Sequence, residues 1–219
     1  MAEKEHKSGT DRTILVEKAA AIAEIARAFY ERGWVLGTSG NLSSVLSRQP
    51  LRLAITSSGI DKGLIEPANI LEVDEAGLVI SGTARASAET LLHIEIVRKR
   101  GAGAVLHTHS ILSNILSEAF APRGGIEISG YEMLKGLEGI QSHDASEWLP
   151  ILENSQDMVA LSGVVGETLG RFPGCHGFLL RRHGLYTWGR DLGEAKRHVE
   201  IFEFLLEVIG RTHELSGRS

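Results

Sequence analysis

His107-Thr108-His109 closes the apolar run Ala104-Val105-Leu106. In an extended strand, residues two apart project to the same side, so both imidazoles can reach one metal ion without any special backbone. A third histidine, His183, follows a second apolar run, Phe178-Leu179-Leu180, and precedes Gly184. Three His ligands leave a zinc-like ion one open coordination position, the mark of a catalytic site rather than a structural one. Each histidine alone is also compatible with an ordinary hydrogen-bonded or surface role. Their placement at the ends of apolar runs favours the metal. Glu89 falls in the first turn of an expected helix, where the dipole favours a carboxylate. It is equally suited to be a fourth ligand or a general base. His93, His143, His176, His198 and His213 read as structural or surface residues.

Two loops have the composition of anion sites: Ser39-Gly40-Asn41-Leu42-Ser43 and Thr56-Ser57-Ser58-Gly59. Glycine lets backbone N–H groups converge on phosphate oxygens, and hydroxyl and amide groups add donors. Neither loop has the P-loop or dinucleotide spacing, and each is also readable as an ordinary turn. Ser87, at the expected start of a helix, makes a third donor site. Lys62 either adds charge there or is simply solvated.

These residues need elements to hold them. A helix is expected from about Thr13 to Arg32, with Leu15, Ala19, Ile22, Ala26 and Phe29 on one stripe and Gly33 as its stop. Gly37 to Ser43 reads as a small-residue turn. Leu51 to Thr56 alternates like a strand, and Asp74-Glu75-Ala76-Gly77 like a hairpin turn between two short strands. Ser87 caps a helix from Ala88 to Arg100, and a strand through His107 leads into a short helix from Ser110 to Ala119. Gly130 to Leu137 holds one helical turn, Gln156 to Arg171 a helix, and two strands flank His183. Asp191-Leu192-Gly193-Glu194 opens a final helix to about His213 as a capping box. Strands and helices in irregular order point to an α/β protein with three α/β/α layers and no regular βαβ repeat. Residues 1–10 are expected to be disordered and 11–219 to form a single domain.

The bulk numbers set outer bounds. The chain has 219 residues, 42% of them hydrophobic, enough to bury a core in one large domain. A formal net charge of −5 offers no basic footprint, so no nucleic-acid partner is expected. No run approaches the roughly 20 apolar residues of a membrane span, and Met1 to Asp11 lacks the apolar stretch of a signal peptide. The one cysteine, Cys175, cannot form an internal disulfide. A cytoplasmic location follows as the expectation.

Taken as a set, Gly37–Ser43, Ile55–Gly59, Gly103–Ser110 and Arg182-His183-Gly184 resemble the class II aldolase/adducin family from about Val16 to Thr212. The resemblance implies a three-layer domain with a central mixed, mainly antiparallel sheet. It implies one divalent metal per subunit, usually Zn2+, on His107, His109 and His183. It implies contacts from Asn41, Ser58, Gly59 and Ser87 to the phosphate of a small sugar-like substrate. It also implies a homotetramer with sites near subunit interfaces. Adducin-like members without activity lose the metal ligands, and all three are present here.

Ser129 to Leu137 and Arg181 to Gly189 are similar to the branch of the family that dehydrates 5-methylthio-D-ribulose 1-phosphate to 2,3-diketo-5-methylthiopentyl 1-phosphate in methionine salvage. In that branch the glutamate matching Glu132 is the proposed acid/base, although composition alone makes it a solvated helix residue. The aldolases often have Ser-Ser-Glu where this chain has Ser87-Ala88-Glu89, so one phosphate hydroxyl is missing. Glu89 occupies the aldolase acid/base position, and its role here stays open. The competing expectations are a sugar-phosphate aldolase or 4-epimerase on the same scaffold, and a non-enzymatic adducin-like module.

Overall fold

Side-chain alternation assigns the two faces of the central strand. In β5 (Ala104–Thr108), Ala104 and Leu106 join one apolar cluster and Val105 joins another on the opposite side. Both faces are buried, so the strand reads as a continuous apolar run. A computed structural model of the chain describes the backbone of residues 2–216 and the side chains of residues 13–215. The strands are β1 (Asn41–Arg48), β2 (Leu51–Thr56), β3 (Ile70–Asp74), β4 (Val79–Ser81), β5, β6 (Gly125–Ser129), β7 (Ser146–Leu152), β8 (Gly177–Leu180) and β9 (Gly184–Gly189). They form one sheet in the order β4-β3-β2-β1-β5-β9-β8-β7-β6. Every pairing is antiparallel except β7 with β8.

Helices α1 (Ala2–Glu31), α3 (Ile111–Ala119) and α5 (Leu192–Ser216) cover one face, and α2 (Thr90–Arg100) and α4 (Met158–Arg171) the other. The three layers and the mixed sheet are those expected. Ala19, Ile22, Ala26 and Phe29 of α1 are buried, with Leu15 packed against the same cluster. Each fully buried Ile or Phe of that stripe stabilises the layer by about 1.5–3 kcal/mol. Ser110 caps α3 by accepting the Ser113 N–H at 3.1 Å. Asp191 accepts the Glu194 N–H at 2.9 Å, and Glu194 accepts the N–H of Arg190 at 2.9 Å, so the capping device reaches one residue further back than the ideal box.

Strand direction decides where chemistry can occur. β5 and β2 end where β1 and β9 begin, so Asn41, Ser57, His109 and Gly184 meet at one end of the sheet. β7 and β8 run parallel and also end there, while β6 runs the other way and delivers Ser129 to the opposite end.

Several expectations needed correction. The backbone of α1 begins at Ala2, within the segment expected to be disordered. Ala, Glu and Lys favour helix, and a helix propagates cheaply from an anchored stretch. The remaining part of that expectation, at Met1 and at the side chains of residues 1–12, lies outside the described residues. The turn expected over Gly37 to Ser43 becomes β1 from Asn41 onward. β1 went unseen because its buried residues Ser43 and Ser44 are polar. β6 and β7 were also unforeseen. The second helix starts at Thr90 instead of Ala88. Ser87 accepts the Glu89 N–H at 3.3 Å and so supports the turn that precedes the helix.

Candidate active site

His107 is fully buried near the end of β5. Its Nδ1 donates to the Leu185 carbonyl at 2.9 Å, which leaves the Nε2 lone pair free. That Nε2 lies 2.8 Å from His109 Nε2 and 3.3 Å from His183 Nε2, and one ligand atom from each of the three rings falls within 4.8 Å of the others. Burial, then the neighbouring His109, push the His107 ring well below its usual pKa. Burial and His183 take His109 down to about 4. Neutral lone pairs this close repel one another unless a proton or cation lies between them. A tetrahedral ion with bonds of about 2.0–2.1 Å spaces its ligands roughly 3.3 Å apart, so the donor set fits such an ion.

The surroundings hold the rings in place. Tyr186 stacks on His107 with centroids 3.8 Å apart. His109 N–H donates to the Trp34 carbonyl at 2.7 Å. His183 sits in the turn between β8 and β9, and Asn114 donates to its carbonyl at 2.8 Å. Arg182 in that turn has a left-handed φ of 54°, costly for a side chain with a Cβ, and both Arg181 and Arg182 are tied to the Glu118 carboxylate. Gly184 must lack a side chain, since a β-carbon there would collide with the Thr108 carbonyl beside His107.

Glu89 faces the same point. Its Oε1 lies 3.1 Å from His183 Nε2 and its Oε2 3.8 Å from His107 Nε2. Asn41 donates its amide to Glu89 in a short hydrogen bond. The Asn41 amide oxygen in turn meets the ring of buried His93, whose Nδ1 lies 2.7 Å from Ser43 Oγ. Burial alone would raise the Glu89 carboxyl. The hydrogen bond with His183, the attraction to His107 and His183, and the Asn41 amide outweigh it and hold the group below the usual carboxylate range.

A cleft of about 630 Å3 opens over these groups, lined by Ser58, Lys62, Arg85, Ser87, Glu89, His109 and His183 among others. The Ser58 N–H is already given to the Arg85 carbonyl at 2.9 Å, so Ser58 offers its hydroxyl. Lys62 is 1% exposed and donates to the Ile60 carbonyl at 2.9 Å and the Thr38 carbonyl at 3.3 Å. Of the two readings open for Lys62, the solvated one is wrong. Burial lowers its pKa, against the opposing pull of Asp61 and Glu89.

The Class II Aldolase and Adducin N-terminal domain family matches residues 20–209. The chain belongs to the class II aldolase/adducin family. A methylthioribulose-1-phosphate dehydratase of Marinobacter nauticus is 40% identical over 198 residues, 90% of this chain and 94% of that protein. One of Xanthomonas euvesicatoria is 44% identical over 188 residues, 85% of this chain and 83% of its own length. Among solved structures, an L-fuculose-1-phosphate aldolase from Thermus thermophilus aligns with a TM-score of 0.74 at 23% identity, covering 93% of this chain and 98% of that one. At that identity the likeness concerns the fold.

Within this class II aldolase fold, the expected site residues divide into two groups. His107, His109, His183, Glu89, Asn41, Ser58 and Ser87 come together at one end of the sheet. Gly59 adjoins Ser58 with a left-handed φ of 76°. Glu132 does not join them. It follows β6 at the opposite end, in a 3-10 helix over Glu132–Gly136, with its side chain 71% exposed. Lys135 Nζ donates to it at 2.6 Å, and this bond, with His143 nearby, lowers its pKa. Sequence reasoning passed over Arg85, Asn114 and Arg182 in the cleft lining. Arg85 lies two residues before Ser87, a basic group beside a hydroxyl loop, and that was the available signal.

Proposed function

We propose that this chain is a metal-dependent methylthioribulose-1-phosphate dehydratase of the methionine salvage route. It removes water from 5-methylthio-D-ribulose 1-phosphate to give 2,3-diketo-5-methylthiopentyl 1-phosphate. One observation carries the reading: three imidazole nitrogens and the Glu89 carboxylate face one point in a cleft, in a chain 40–44% identical to dehydratases over most of its length.

The difficult step is loss of the C3 proton beside the C2 ketone. A divalent metal, Zn2+ by the all-imidazole donor set, would be held by His107, His109 and His183 and would supply Lewis-acid stabilisation of the enolate charge, worth several kcal/mol. Leu185 fixes the His107 tautomer. Glu89 is ionised at neutral pH and aimed by Asn41, so it can accept a proton inside the cleft. One N–H of the Asn41 amide is committed to that task, and the phosphate falls to its other N–H together with the Ser58 and Ser87 hydroxyls, the Gly59 turn and the Arg85 charge. Glu132 is the second acid/base and serves either the transfer of the C3 proton or the departure of the C4 hydroxyl. Because it lies at the far end of its own sheet, it serves the cleft of a neighbouring copy in a homotetramer.

The protein works as a single domain in the cytoplasm, consistent with a free Cys175. Among the described residues, no helix is long and apolar enough to cross a membrane.

Incubation of the purified protein with 5-methylthioribulose 1-phosphate tests the reading. A diketone of unchanged carbon count is expected, whereas two carbon fragments would identify an aldolase. In Glu132→Gln, metal content should persist while turnover drops about 10²–10⁴-fold. Unchanged turnover would remove Glu132 from the mechanism.

A further inference from the structure

A second group of histidines lies at the end of the sheet away from the metal ligands, and it grips one residue from both sides. The Glu138 N–H donates to His198 Nε2 at 3.2 Å, and the Glu138 carbonyl meets His176 Nε2 at 2.8 Å. Each imidazole is anchored in turn. His198 Nδ1 donates to the Trp188 carbonyl at 2.7 Å. His176 Nδ1 lies 2.9 Å from Glu147 Oε2, and its backbone N–H donates to the other oxygen of the same carboxylate at 2.8 Å. Glu147 is 2% exposed, so its charge is poorly screened.

Proton counting distinguishes the two rings. His198 faces one donor and one acceptor, so a neutral ring satisfies both. His176 faces a carboxylate on one nitrogen and a carbonyl on the other. Both partners only accept, so both ring nitrogens must carry protons, and the ring is an imidazolium.

Other charged groups stand around it. Glu138 contributes its own carboxylate, and α5 contributes His198, whose ring centroid is 5.5 Å away, together with Glu194 and Arg197. Arg100 of α2, whose Nη2 lies 3.2 Å from Cys175 Sγ, borders a surface cavity that His176, His198 and Glu138 also line, as do Lys99 and Arg190. Burial works against protonation of His176, and Glu147 and Glu138 outweigh it, so its pKa is raised.

The gripped residue ends the segment that starts with Glu132. Between them, Leu134 and Leu137 are buried, and Arg197 Nε donates to the Gly136 carbonyl at 2.8 Å. The exposed Glu132 carboxylate is thus carried by a short stretch whose far end is clamped. We propose that His176 and His198 are positioning residues that clip Glu138 and so hold the Glu132-bearing segment in its working place, with His176 acting as an imidazolium paired to Glu147. This rests on Glu132 being the acid/base. Losing the His176 proton at alkaline pH turns one of its two hydrogen bonds into a lone-pair clash and frees the segment.

The test uses the full-length, metal-loaded assembly. His176→Asn keeps a donor near Glu147 but is too short to reach the Glu138 carbonyl. Glu147→Gln keeps the shape and removes the charge that stabilises the imidazolium. Amide hydrogen exchange over residues 130–141 is measured alongside kcat, KM and bound metal across pH. Faster exchange in that segment is expected in His176→Asn, with kcat lower by about 10- to 100-fold, as misplacing a reacting group by about 1 Å does, and with KM and metal content unchanged. In Glu147→Gln the alkaline fall in kcat should begin at lower pH. Unchanged exchange in both variants, or faster exchange with wild-type kcat, overturns the clip. Wild-type turnover in Glu132→Gln defeats the underlying reading instead, and the exchange data separate the two failures because they do not depend on activity.

Discussion

At the scale of single residues, the site is built from side chains whose second polar atom is already committed. His107 spends Nδ1 on Leu185, Asn41 divides its amide between Glu89 and His93, and Lys62 gives its protons to two carbonyls. Each commitment removes an alternative orientation, so little ordering cost remains when a ligand arrives. His107 is the most exacting position, because it is fully buried and its Nε2 lies within 3.3 Å of the Nε2 atoms of both other rings. His107→Ala should abolish metal binding, measured by elemental analysis. It should also lower turnover by at least about 10³-fold, since the metal's contribution of several kcal/mol disappears. A variant that retains stoichiometric metal would show that the other groups suffice.

At the scale of elements, β5 and β9 lie so close at the site that no side chain fits between them at Gly184. Gly184→Ala would force the strands apart beside His107. A loss of roughly 1–3 kcal/mol in stability is expected from the clash, readable by denaturant titration, together with weaker metal binding from the displaced rings. The turn before it is equally specified. Arg182 holds a backbone conformation that Arg disfavours, and the Glu118 carboxylate binds both neighbouring arginines and keeps the turn there. His183 is therefore presented by a strained turn, as is common where a side chain must be aimed.

At the scale of the whole molecule, two effects are testable. Glu203 of α5 is 4% exposed and accepts the Thr108 hydroxyl at 2.7 Å, tying the helix layer to the strand between His107 and His109. Burial raises its pKa to about 7, against the opposing hydrogen bonds from Ser110 and Thr108. The folded protein thus binds this proton more tightly than the unfolded chain does. Its contribution to stability is complete below the ordinary carboxylate range and is lost as pH rises to about 7. Glu203→Gln should flatten that decline, worth on the order of 3 kcal/mol in the wild type, in thermal unfolding followed across pH. An equal decline in the variant would assign the effect to other groups.

The second effect concerns assembly. If Glu132 serves a neighbouring cleft, two inactive variants should complement each other. Mixed refolding of Glu132→Gln with His107→Ala should restore activity in roughly one site in four, as expected for random placement in a head-to-tail ring. No recovery would place both groups in one protomer's site or remove Glu132 from it.

Read alone, the sequence determined the donor chemistry and the local periodicities: the His-x-His pair at a strand end, the stripe of α1, the strand Leu51–Thr56 and the opening of the last helix at Asp191. These are legible because residues within a turn or a pleat of one another are related by covalent geometry. What the chain order leaves open, only tertiary structure decided. His183 comes within 3.3 Å of His107 across 76 residues, Lys62 is buried under the cleft, and β6 carries Glu132 to the far end of the sheet. Those outcomes depend on strand order and direction, which arise from packing two apolar faces at once and are not encoded in any short window.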